Sequence, residues 1–150
     1  MNVTDPIETS GLGLVRQLPI MQLLPDSLRE LVVGSFEERS FAFGEYLVNE
    51  GETADAFYVI TEGMVRVVAI GVDGAETTLD LMRPGESFGE SGLLEGAVRS
   101  RSVRACGPAA AARLDRSVFD ALVRLHPQVA VENQPTVINK KSLYAVNVDL

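Results

Sequence analysis

A β jelly roll of short antiparallel strands, flanked by helices at both ends, is the fold this sequence predicts. Three observations carry that expectation. Glycines at 44, 51, 63, 74, 85 and 89 punctuate short apolar runs at fairly even intervals. The apolar period changes from helical to alternating near Phe36. Asp73-Gly74 is a strong hairpin signal, because both residue types tolerate the positive φ of a tight turn. The 150 residues suit one domain, and 46% hydrophobic composition supplies a core. Many short strands with regular turns suit a double-stranded β-helix, or jelly roll.

The first 35 residues read as helical pieces. Leu14, Val15 and Leu18 make a short apolar face that Pro19 interrupts. Ser27 and Glu30 have the S-x-x-E spacing of a capping box, in which each side chain satisfies the other's orphan N–H. Leu28, Leu31 and Val32 follow at helical spacing, and Gly34 is the expected stop. Strands are expected next: one on which Phe41 and Phe43 alternate, then Tyr46–Val48, Phe57–Ile60, Met64–Ile70 and the return strand Thr77–Met82. Gly89 to Gly96 is too short for a strand, and one helical turn at Ser91–Leu94 is the natural reading. Strands resume at Ser102–Cys106 and Ala109–Leu114. Val118, Leu122 and Leu125 then share a helical face ending at His126-Pro127. The expected organisation is a helical segment over 1–35, the jelly roll over 36–115 and a helical segment with a tail over 116–150.

Composition narrows the function. Thirteen Lys and Arg face 21 Asp and Glu, a formal charge of −8. Such a surface repels phosphate backbones, so direct contact with nucleic acid is not expected. One cysteine, Cys106, forms no internal disulfide and suits a reducing compartment. No leader-like start or membrane-length apolar run is visible, so a cytoplasmic location without membrane insertion is expected.

The chemistry concentrates in Phe88 to Ala105, FGESGLLEGAVRSRSVRA. Gly89 allows a backbone to approach a ligand closely. The start of a short helix at Ser91–Leu94 presents N–H groups suited to an anion. Glu90 is a carboxylate beside those donors, able to accept from a sugar hydroxyl. Arg99 supplies a planar guanidinium that grips phosphate through two parallel hydrogen bonds. Amides, a carboxylate and an arginine together suit a ligand with hydroxyls and a phosphate, such as a cyclic nucleotide.

These residues resemble the cyclic-nucleotide-binding domains of catabolite activator proteins, protein kinase A regulatory subunits and cyclic-nucleotide-gated channels. That family's phosphate-binding cassette reads F-G-E-x-[AG]-L, a spacer, then R-[AST]-A-x-V. Phe88, Gly89, Glu90, Gly92 and Leu93 match the first half, and Arg99, Ser100 and Val103 the second. Upstream, FGEYLVNEGETADAFYVITEGMVRVV (43–68) is similar to the family's strand pattern. The resemblance implies that Glu90 and Gly89 hold the ribose. It implies that Arg99, with the N–H groups of Ser100, Gly92 and Leu93, holds the cyclic phosphate. Val65 and Val67 would line the apolar wall, and the C-terminal helix around Phe119–Leu125 would move over the pocket as a lid. Two departures stand out. Arg101 replaces a usual alanine, either strengthening phosphate binding or pointing outward. Ser100 falls where alanine accompanies cAMP and threonine often accompanies cGMP; serine can donate to the phosphate or to a syn guanine, so this position leaves the choice open. The resemblance to bacterial members makes cAMP the expected ligand, with cGMP the other candidate.

Each residue also has a plainer reading. Glu90 and Arg99 form ordinary surface pairs in many proteins, alternating valines pack any sheet, and Gly92 serves turns. Gly85 to Gly89 fits the G-x-S-x-G elbow of serine hydrolases, but the sole histidine, His126, sits at an expected helix end and the chain is too short for the large sheet that elbow needs. Gly11-Leu12-Gly13 lacks the third glycine of a dinucleotide site. Cys106 reads as strand packing, and no cluster has metal-ligand spacing. The expectation is therefore a regulatory binding domain without catalytic residues, metal or cofactor. Family transcription factors carry a helix-turn-helix after the lid; this chain ends shortly past it, again arguing against DNA binding. Its output would be a docked protein partner, a fused effector, or a homodimer through its helices. The alternative is a degenerate fold that serves as an interaction or assembly module without ligand.

Overall fold

The computed structural model describes residues 11–89 and 98–126. Short helices open the chain: α1 (Gly11–Arg16), a 3-10 helix (Pro19–Leu23) and α2 (Asp26–Gly34). Eight strands follow, β1 (Glu37–Phe41), β2 (Tyr46–Val48), β3 (Ala56–Glu62), β4 (Val65–Ile70), β5 (Glu76–Met82), β6 (Ser87–Phe88), β7 (Ser102–Ala105) and β8 (Ala109–Asp115). Helix α3 (Arg116–Leu125) closes the described chain. The strands form two antiparallel four-stranded sheets, ordered β1-β8-β3-β6 and β2-β7-β4-β5, which is the jelly roll expected from the sequence.

Three layers result, because β3 and β8 are covered on both faces. From β3, Ala56, Tyr58 and Ile60 point into the roll, where they meet Val65, Val67, Phe88, Val103 and Ala105. Phe57 and Val59 point the other way, into a second core with Val15, Met21, Val33, Phe119 and Leu122 from the helices. The same alternation sends Ala109 and Ala111 of β8 inward and Ala112 and Leu114 toward the helices. Phe57 links the helical layer, with Phe36 edge-on at 6.3 Å and Phe119 stacked at 6.0 Å.

The hairpin of β4 and β5 turns where expected. Gly74 adopts φ 85°, and the Asp73 carboxylate accepts from the Ala75 N–H at 3.0 Å.

Several expectations need correction. The Ser27–Glu30 capping box does not form: α2 begins at Asp26 behind Pro25, and Glu30 instead takes two hydrogen bonds from Arg16. A guanidinium offers two directed donors, a better partner than one N–H. Leu31 is 69% exposed, and Val33 takes the buried position, so the buried face of α2 is turned from the one expected. Phe43 lies beyond β1 and is 76% exposed; the chain turns at Gly44, which ends the alternation. Strand β7 stops at Ala105, leaving Cys106 half-buried in the following turn. Leu125 is 69% exposed, and Phe119 with Leu122 forms the buried face of α3. The two-residue edge strand β6 is an addition that no period could announce.

Placement of α3 also revises the lid. Phe119 and Leu122 pack against Phe57, on the reverse side of β3 from the roll interior, so α3 does not cover that interior. The tail 127–150 lies outside the described residues.

Candidate functional site

Arg99 is the only buried charged residue among those described, at 1% exposure. Its backbone is fixed first. The Arg99 N–H donates to the Glu52 carbonyl at 2.7 Å, and the Gly51 N–H donates to the Arg99 carbonyl at 2.8 Å. A bridge between Thr53 and Val98 extends this short ladder. The turn after β2 therefore aims the side chain into the molecule.

The guanidinium settles at the entrance to β3. Its Nη2 donates to the Ala56 carbonyl at 2.7 Å, and Asp55 Oδ1 lies 3.8 Å away. The Tyr58 ring sits below, its centroid 5.9 Å from Cζ, and Phe88 stacks on Tyr58 at 5.0 Å with planes 11° apart. Gly89 closes one side. Its φ is 104°, and a Cβ there would lie 2.8 Å from Arg99 Nη1 and 3.0 Å from the Ala56 carbonyl. Glycine is required twice over, for its backbone angle and for the guanidinium's space.

Burial pushes the Arg99 guanidinium below its ordinary range, opposed by Tyr58, Asp55 and Glu52 and reinforced by the like charge of Arg113. It still carries its proton, since arginine is not deprotonated in proteins. Arg113 is opposite in outcome: burial works against its charge, but Tyr58, Asp55 and Asp115 outweigh it and raise the value. One carboxylate thus serves two arginines, with Asp55 Oδ2 3.5 Å from Arg113 Nη2.

Of the residues singled out in the sequence, Arg99 and Gly89 come together here. Ser100 follows them, half-buried, its carbonyl accepting from Arg101 Nη1 at 2.9 Å. Val65 and Val67 are fully buried and pair with Ala105 and Val103 across β7. They share the roll interior with Tyr58 and Phe88, the rings beneath Arg99. Glu90, Gly92 and Leu93, with the Ser91–Leu94 turn, lie outside the described residues. Ser87 of the elbow-like motif sits in β6, paired with Val59.

Tyr58, Asp55, Ala56 and Arg113 were not singled out. Arg113 did leave a signal, a lone charge breaking the apolar run of β8. The rest depend on pairing: Tyr58 registers with both Phe88 and Arg113, which are distant in sequence.

Elsewhere, Tyr46, Asn49, Glu50, Ile70 and Ser102 line an open cleft of about 470 Å³ on the outward side of β2 and β7. It holds none of the predicted site residues. Beside it Glu76 is held below the usual carboxylate range, chiefly by the Tyr46 hydroxyl and further by Arg104 and Arg66. No three potential metal ligands gather among the described residues. No helix among them is long and apolar enough to cross a membrane.

Residues 38–126 match the family model described as the cyclic nucleotide-binding domain. The chain is 34% identical over 108 residues to the cyclic AMP receptor protein of Thermus thermophilus, covering 72% of this chain and 50% of that protein. It is 33% identical over 129 residues to the cGMP-dependent protein kinase egl-4 of Caenorhabditis briggsae, covering 84% and 16%. The chain therefore spans half or less of the length of these curated relatives. Among solved structures, the N-terminal domain of a transcriptional regulator from Streptomyces coelicolor A3(2) aligns with a TM-score of 0.66 at 27% identity, covering 89% of this chain and 87% of that one. Fold, matched residues and relatives agree, and the chain belongs to the cyclic nucleotide-binding domain family.

Proposed function

We propose that this chain is the ligand-sensing domain of a regulator, binding a cyclic nucleotide without turning it over, with cAMP preferred to cGMP. The observation that carries the reading is the seat of Arg99. A guanidinium at 1% exposure, pressed against a glycine that leaves it room and stacked over Tyr58, is positioned at the apolar interior of the roll. Burying a cation is costly, and an anionic ligand there recovers electrostatic energy that water cannot compete away. Arg99 holds the cyclic phosphate together with the N–H groups of Ser100, Gly92 and Leu93. Glu90 and the Gly89 backbone take the ribose, and Val65 and Val67 supply the apolar wall.

Serine at position 100, with cAMP named in the Thermus thermophilus relative and cGMP in the Caenorhabditis briggsae one, leaves both purines in the ligand class. The domain has no catalytic role and needs no metal. Its acidity supports action through a protein partner or fused effector in the cytoplasm, with dimerisation through the helices as a further route, and not through nucleic acid or membrane insertion. The functional units are the helical segment 1–35, the roll 36–115 with its cassette 88–105, and the segment 116–150. Ligand shifts the conformation only by its difference in affinity for the two states.

Calorimetric titration of ligand-free chain with cAMP and with cGMP tests this. Micromolar or tighter binding is expected. Arg99→Ala should lose about 2–4 kcal/mol of it, the cost of removing one partner of a desolvated charge pair. A folded chain that takes up neither nucleotide overturns the reading and leaves the domain as an interaction or assembly module.

A further inference from the structure

Arg101 carries a donor with nowhere to go. Its Nε is shut off from solvent and has no acceptor among the described residues. Buried N–H groups in native proteins are nearly always paired, and on a side chain that stays charged the omission is costly. Its position in the fold gives the omission a direction. In β7, Val103 and Ala105 face the roll interior, whereas Ser102 turns outward to accept from the Glu50 N–H at 2.8 Å. Arg101 itself lies in the bend that leads from Arg99 and Ser100 into β7, two residues before Val103. Val67 lies directly across from Val103, so this is the same wall that the cyclic nucleotide would use.

The guanidinium does not extend away from the cradle. Its Nη1 donates back to the Ser100 carbonyl at 2.9 Å, which folds the head group over residue 100. A bond to the adjacent residue's carbonyl engages one donor and leaves the Nε–H for another acceptor.

We infer that Arg101 is a second ligand-binding arginine, donating to the cyclic phosphate beside Arg99. This rests on the nucleotide reading above and adds to it a residue that chooses for the anion and not for the base. A donor-only group at the phosphate meets the same oxygens in cAMP and cGMP, so it strengthens both alike. In the ligand-free state it is a liability, kept because the ligand supplies the missing acceptor.

The test is calorimetric titration of the unaltered chain, Arg101→Ala and Arg101→Lys with cAMP and cGMP, alongside melting without ligand. Arg101→Ala should weaken both nucleotides by about tenfold, the ratio expected for one charge-assisted hydrogen bond. Arg101→Lys should recover part of the loss by restoring the charge. Without ligand, Arg101→Ala should melt close to the unaltered chain, since losing the bond to the Ser100 carbonyl is offset by removing an unsatisfied donor. Undiminished affinity for both nucleotides in Arg101→Ala overturns the inference while leaving the sensor reading intact. So does loss confined to one nucleotide, which would place Arg101 at the base, or a ligand-free melting temperature that falls, which would make the residue structural. Failure of the unaltered chain to bind either nucleotide overturns both.

Discussion

At the scale of single residues, Gly89 shows how close the backbone comes to the cation. Gly89→Ala places a methyl 2.8 Å from Arg99 Nη1 at a φ of 104°. Strain at such an angle costs about 1–3 kcal/mol. Gly85 has a similar φ of 95°, but its added Cβ would meet only Leu14, at 4.0 Å. Both alanine variants should therefore lose stability in urea, Gly89→Ala the more because of its added clashes, and Gly89→Ala alone should also lose nucleotide affinity by displacing Arg99. Equal affinities for the two variants would show that Gly89 serves only the turn. Gly89 and Arg99 were legible in the sequence because their residue types are chemically specific: one tolerates close approach, the other grips phosphate. Tyr58 and Asp55 were not, since a tyrosine in an apolar strand and an aspartate in a turn have ordinary uses. Only the fold shows them flanking one guanidinium.

Among the elements, strands were easier to read than helix faces. The six glycines that punctuate the sequence are the six glycines with positive φ among the described residues, so turn chemistry fixed the strand boundaries. Helix faces went astray at Leu31 and Leu125, because apolar character alone does not say which side of a short helix finds a neighbour. The start of α3 rests on a cap. Asp115 accepts from the Ser117 N–H at 3.0 Å and from its hydroxyl at 2.7 Å. The hydroxyl first and the N–H second hold its carboxyl below the ordinary 3.8, against the effect of burial. A folded value below the unfolded one means stability present above that range and lost as pH falls through the depressed value. Asp115→Ala should cost about 1 kcal/mol at neutral pH, and the gap should narrow in acid as the carboxyl is protonated and the charge-dependent part of the cap is lost. Asp115→Asn should keep most of the cap yet lose the acid-dependent part. Melting temperatures from neutral to acidic pH decide this; a gap that persists undiminished in acid would assign the loss to something other than the charge.

For the whole molecule, the layers follow from long-range pairing that no local pattern encodes. β1 pairs with β8, and Arg99 reaches across 43 positions to the Ala56 carbonyl. That is why a jelly roll was legible while the location of α3 behind β3 was not. The same layering joins the arginine cluster to the helices. Asp55 lies within 3.8 Å of Arg99 and 3.5 Å of Arg113, and Arg113 Nη1 lies 3.5 Å from Asp115, the cap of α3. The Asp55 carbonyl also accepts from the Arg116 N–H at 2.9 Å, at the first residue of that helix. A phosphate taken up by Arg99 competes with Asp55 for the guanidinium and frees that carboxylate to favour Arg113. Ligand in the roll should then alter hydrogen exchange at Arg116 and Ser117, on the opposite side of the sheet. Asp55→Ala should abolish this response while nucleotide still binds, because the carboxylate links the two arginines and the phosphate contact does not require it. Exchange at these two amides that ignores ligand in the unaltered chain, at saturation shown by titration, would mean that the helical layer is only a support. The output would then have to leave the roll by another face. A response that survives in Asp55→Ala would instead place the coupling in the packing of Phe57 against Phe119, the other connection between β3 and α3.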